Sequence, residues 1–139
     1  MSKSAWQLLG DYLKDTQILG SIQSTLYWDQ NTSMPIAGST WRGEQLSLLA
    51  KQLHARQSCK EFEFLIKEAK SELHYLKEKD NLELQLITDR FRNIELLEQD
   101  LKRQKSLDPI LVAQLATAKS EGYMLWQEAK KNNDFKLFS

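Results

Sequence analysis

Apolar side chains recur every three or four residues through most of the 139-residue chain. Over the first 26 residues, these positions are Trp6, Leu9, Tyr12, Leu13, Leu19, Ile22 and Leu26. Such spacing places apolar residues on one face of an α-helix. Only five Gly and two Pro residues occur, and no segment shows the polar–apolar alternation that is typical of a β-strand. The sequence therefore predicts an all-α fold.

Breaks in this spacing divide the chain into five predicted helices. They are expected over about residues 4–30, 40–57, 58–77, 80–105 and 109–132. The first break falls at Met34-Pro35, because proline disfavours helix in the residue before it. Residues 31–40 are then expected to form a loop.

Capping residues support three of these starts. Ser4 can cap the first helix, and Ser58 with Glu61 matches a capping box for the third. Asp108 is a good cap for the fifth helix, in which Pro109 suits the first position. The fourth and fifth helices are joined by a short turn, so we expect them to form a long antiparallel, coiled-coil-like hairpin. Glu98 falls on the apolar seam of the fourth helix and is expected at its solvated end. The predicted architecture is an antiparallel bundle that forms a single domain over residues 1–139.

The balance of charge favours neither a nucleic-acid partner nor an anionic membrane. Lys and Arg total 19, as do Asp and Glu, so the formal net charge is zero. Nucleic-acid binding needs a basic excess to neutralise phosphates, so we expect no nucleic-acid partner and no attraction to an anionic membrane.

Cys59 is the only cysteine and is expected to be a partly buried small side chain, which suits a reducing compartment. The first twenty residues are interrupted by charges, so neither a signal peptide nor a spanning helix is expected. We therefore expect a cytoplasmic protein.

The sequence offers few candidates for a catalytic centre. His54 and His74 are the only histidines, and no H-E-x-x-H motif sets two ligands one helical turn apart. Both histidines are expected at the surface or at helix ends. Most of the aromatic residues at helical spacings are expected in the core, and a peptide-binding groove is the alternative. These residues are Trp6, Tyr12, Tyr27, Trp28, Phe91, Tyr123 and Trp126. We assign no catalytic and no metal-ligating residue, although a small enzyme with an unfamiliar site remains an alternative.

Two segments are more specific. The first contains Trp28, Asp29, Gln30, Met34 and Pro35, followed by Arg42, Gln45 and His54. The second contains Ser120, Glu121, Trp126, Asn133, Asp134, Phe135 and Phe138. Their order and separation resemble the amino-terminal region of the carboxypeptidase Taq family.

That resemblance implies both a fold and a function. The family comprises zinc- or cobalt-dependent carboxypeptidases that remove residues from the carboxyl ends of peptides. Its fold is almost wholly helical, with a deep groove like that of neurolysin, and the amino-terminal helices form one wall or lid of the groove. The metal ligands and the H-E-x-x-H helix lie downstream in that family. The resemblance therefore implies that this chain carries no cofactor of its own and is inactive alone.

The signature residues are expected to be structural. Trp28 would pack against a partner, while Asp29 and Gln30 would bind loop amides or Arg42. Asp134 is expected to cap a further helix that Phe135 and Phe138 would fix in place. Direct peptide contact is the alternative.

Two kinds of partner follow from this interpretation. One is a downstream catalytic domain, if the sequence is the truncated start of a longer enzyme. The other is a second copy of the chain, bound through exposed apolar helix faces. In that second case the chain would be a stand-alone helical interaction protein derived from the family.

Overall fold

The computed structural model describes residues 3–79, 83–134 and 136, and within them it contains five α-helices and no strand. The helices are α1 (Ala5–Thr32), α2 (Ser39–Ser58), α3 (Lys60–Glu78), α4 (Leu84–Lys105) and α5 (Pro109–Asn132). A 3-10 turn, Ile36–Gly38, precedes α2. The all-α prediction is confirmed. No described helix combines the length and the apolar character needed to cross a bilayer.

The first helix ends at Thr32, shortly before the predicted break at Met34-Pro35. The backbone N–H groups of Ser33 and Met34 both donate to the Asp29 carbonyl at 2.9 Å, and Pro35 is extended. The predicted loop is shorter than expected, because the 3-10 turn follows Pro35 and α2 already begins at Ser39.

The predicted caps are right at two starts and wrong at a third. Ser4 and Gln7 exchange hydrogen bonds at the start of α1, and the Asp108 carboxylate accepts the Ile110 N–H at 2.7 Å. At α3, however, the cap is Cys59, whose Sγ accepts the Phe62 N–H at 3.4 Å. Ser58 cannot cap α3 because it still belongs to α2.

By their contacts, the residues group into two units. Unit one is Met1–Gln17 with Ala55–Leu107, and unit two is Ile18–His54 with Asp108–Ser139. Both α1 and α2 contribute residues to each unit. The single domain expected over residues 1–139 stays a prediction.

Unit one is built around the antiparallel pair of α3 and α4. Lys70 binds Glu98 at 2.8 Å, and Lys105 binds Glu63 further along, so the helices run in opposite directions. Between them lies an apolar core that also includes Leu9 of α1. Its buried members are Leu9, Phe62, Ile66, Ala69, Leu73, Ile94 and Leu101.

This pairing corrects the predicted hairpin. Helix α4 packs against α3, whereas α5 belongs to unit two. The buried residues Ile87, Ile94 and Leu101 recur every seven positions, so the sequence does specify a seam on α4. A seam does not specify its partner, and short connections flank α4 on both sides. Glu98 lies within α4 rather than at a solvated end of the helix, and Lys70 of α3 balances its charge.

Tyr12, in the first sequence segment of unit one, contacts the start of the second segment. Its ring stacks on Phe62 with centroids 5.3 Å apart, and its hydroxyl donates to the Arg56 carbonyl at 2.8 Å. The Arg56 guanidinium lies 4.2 Å from the ring centroid. Burial, and then the hydrogen bond with Cys59, raises the pKa of Tyr12 above its ordinary value.

Tyr12→Phe is predicted to change the alkaline stability of the chain. At neutral pH the variant should unfold more easily by about 1 kcal/mol, because the hydroxyl bond is lost. A raised pKa in the folded state gives stability that is present below the ordinary value of 10.0 and is lost as pH rises above it. The free energy of unfolding, measured in urea, should therefore differ less between wild type and variant at about pH 10.5 than at neutral pH. Tyr75→Phe, at an exposed position, is the control, and a Tyr12→Phe difference that does not vary with pH would contradict the account.

Candidate functional site

The carboxyl end of α1 is held to the start of α2 by Arg42. One Nη lies 2.5 Å from the Asp29 carboxylate, the other donates to the Leu26 carbonyl, and Nε donates to Gln45 at 3.0 Å. The Arg42 side chain is nearly buried, so its N–H groups need these acceptors. The predicted contact between Asp29 and Arg42 is present. Gln45, which the sequence identified only by resemblance, is a further acceptor of this arginine.

Gln30 bonds α5 rather than the predicted loop amides or Arg42. Its Nε2 donates to the Ser120 carbonyl at 3.1 Å, and the Ser120 hydroxyl donates to Gln30 Oε1 at 3.2 Å. The two residues are only 4% and 1% exposed and lie 90 positions apart in sequence. The first and second signature segments therefore meet at this buried pair. The sequence could not reveal it, because helical spacing does not say which helix a buried amide faces.

The turn between α1 and α2 uses the next two signature residues. Met34 packs over Gly38, where an added Cβ would lie 3.4 Å from its Cγ. Pro35 caps the 3-10 turn, and its carbonyl accepts the Gly38 N–H at 2.9 Å. Both residues shape the turn, as the structural interpretation expected.

Asn133 and Asp134 close α5. Asn133 has a left-handed backbone (φ 53°), and the Asp134 N–H donates to the Ala129 carbonyl at 2.9 Å. This is the Schellman arrangement, in which asparagine tolerates the left-handed position. The Asp134 carboxylate accepts the Lys136 N–H at 3.1 Å, as a cap would. Phe135 and Phe138 lie outside the described residues.

The structure contradicts the positions that the sequence analysis expected for His54 and Trp28 and agrees with the one expected for His74. His54 is buried, because it continues the row of Gly43, Leu46 and Ala50 on the inner face of α2. This three- and four-residue spacing is present in the sequence and indicates a buried position for His54. His74 is exposed, as expected, against the Phe91 ring. Trp28 is 64% exposed, so the expected core position is wrong, and its packing against a partner stays a prediction.

The described donors do not fit a catalytic zinc or cobalt ion. Such a site takes three protein ligands that converge on one point. Among residues 3–79, 83–134 and 136, no three His, Cys, Asp or Glu side chains gather in this way. The two histidines lie on different helices, α2 and α3.

Unit two carries two surface grooves along α5. The α2–α5 groove has a volume of about 980 Å³ and lies between the start of α2 and the second half of α5. Its walls include Ile36, Thr40, Gly43, Glu121, Leu125, Trp126 and Lys130. The α1–α5 groove, of about 610 Å³, is lined by Tyr27, Gln30, Asn31, Ala118, Lys119, Gly122, Tyr123 and Trp126.

Trp126 lines both grooves. Lys130 lies 5.1 Å from its ring centroid, and Lys119 lies 5.1 Å from that of Tyr27. The sequence interpretation placed Trp126 in the core, but its side chain is exposed. Of the signature residues, Glu121 and Trp126 line the α2–α5 groove, while Gln30 and Trp126 line the α1–α5 groove.

Comparison with known proteins gives consistent matches. The family model of carboxypeptidase Taq (M32) metallopeptidases matches residues 8–139. Thermostable carboxypeptidase 1 of Thermus thermophilus is 30% identical over 137 residues, which are 98% of this chain and 25% of that protein. The crystal structure of BsuCP resembles the fold with a TM-score of 0.79 at 24% identity, over 96% of this chain and 25% of that one. The chain thus spans about a quarter of the length of the curated relative that it matches.

Gln30→Leu is predicted to destabilise unit two. The change leaves the buried Ser120 hydroxyl without its amide partner, which should lower the free energy of unfolding by roughly 1–3 kcal/mol. Gln52→Leu, at an exposed position on α2, is the matched control and should stay within about 0.5 kcal/mol of wild type. Chemical unfolding measures both. Equal effects of the two substitutions would show that the Gln30–Ser120 pair contributes nothing.

Proposed function

This chain belongs to the carboxypeptidase Taq (M32) metallopeptidase family, and on that premise we propose that it supplies the amino-terminal helical wall or lid of a peptide-binding groove. The complete enzyme would be a metal-dependent carboxypeptidase that removes residues from the carboxyl ends of peptides. This chain would be inactive alone.

The observation that carries the proposal is the joining of both signature segments in unit two. Gln30 of the first segment and Ser120 of the second form one buried hydrogen-bonded pair. Trp126 of the second segment then lines two open grooves beside that pair. A buried, hydrogen-bonded pair next to open grooves suits a wall that positions a peptide, because binding residues are most effective on fixed elements.

The proposed inactivity rests on the donor chemistry of the sequence. A metallopeptidase needs ligands and a general base arranged as in an H-E-x-x-H helix, and His54 and His74 do not provide that spacing. Zinc or cobalt would be held by other parts of the family's enzymes. We therefore assign no catalytic step to the residues of this chain.

The isolated chain is predicted to release no carboxyl-terminal residue from peptides. Purified protein would be incubated with zinc or cobalt and a mixture of peptides, and free amino acids would be measured by mass spectrometry. The Thermus thermophilus relative is the positive control. Release that a metal chelator abolishes would overturn the proposed inactivity.

A chimera tests the groove-wall role directly. Residues 8–139 would replace the matching quarter of thermostable carboxypeptidase 1, and the folded chimera should keep carboxypeptidase activity. Within it, Trp126→Ala should raise KM several-fold, since a groove contact is worth roughly 1–2 kcal/mol. Leu96→Ala, an exposed position on α4 that lines neither groove, should leave KM unchanged. A folded chimera without activity, or equal KM values for the two variants, would count against the role.

A second candidate function is association through α5. Ala113, Ala116 and Ser120 are buried on one face of this helix, yet Leu111, Leu115 and Leu125 are exposed on another. A helix that is apolar on several faces is usually covered on all of them. The exposed face would be covered either by a catalytic domain or by a second copy of the chain, and we propose the second copy for the isolated chain. We propose a cytoplasmic location, in keeping with the single cysteine of the sequence. We also propose no nucleic-acid partner, in keeping with the zero net charge.

Light scattering tests this association. The isolated chain should have at least the mass of a dimer at high concentration, and Leu115→Glu should shift it toward the monomer because the charge would be buried. Gln99→Glu adds the same charge at an exposed polar position on α4 and should change nothing. A monomeric wild type at high concentration would rule the proposal out.

A further inference from the structure

We draw no further inference here: the strongest candidate, the Cys59 thiol at the start of α3 beside Tyr12 and Arg56, which line a cavity of about 240 Å³, rests on a lone cysteine, and no second observation among the described residues points to a ligand there.

Discussion

Unit two depends on the buried hydrogen bonds between Gln30 and Ser120. A buried amide without partners would cost roughly 1–3 kcal/mol, so α1 and α5 must meet where these groups can pair. Gln30 follows Asp29, which Arg42 holds from α2. Two neighbouring residues at the end of α1 therefore hold the other two helices: Asp29 binds Arg42 at the start of α2, and Gln30 binds Ser120 in the middle of α5. Both signature segments contribute to these contacts.

Small side chains line the contact between α2 and α5. The inner face of α5 presents Ala113, Ala116 and Ser120, and α2 meets it with the buried Gly43. A Cβ added at Gly43 would lie 4.0 Å from the Thr117 methyl group, which is ordinary van der Waals contact. Alanine at Gly43 would therefore fit, so the approach of α2 to α5 does not require a glycine there. Further along α5 the side chains are larger, and Trp126 stands between the two grooves.

The sequence predicted the helices better than their partners. Spacing of apolar residues placed all five helices. The cap at Asp108 could be predicted because aspartate is a favoured N-cap and proline is favoured at the first helical position. The contact between Asp29 and Arg42 could be predicted, because both flank one short turn. The pairing of α4 with α3 and the bond from Gln30 to Ser120 could not, since both depend on which faces meet in space. Trp126 was misplaced because helical spacing alone does not separate a core residue from the wall of a groove.

Site-resolved hydrogen exchange tests the central claim most directly. If the Gln30–Ser120 pair holds unit two together, Gln30→Leu should lower the protection of amides in residues 18–54 and 108–134 while α3 and α4 keep theirs. Protection factors are compared with wild type under native conditions. Equal loss in both units, or unchanged protection in α5, would contradict the account.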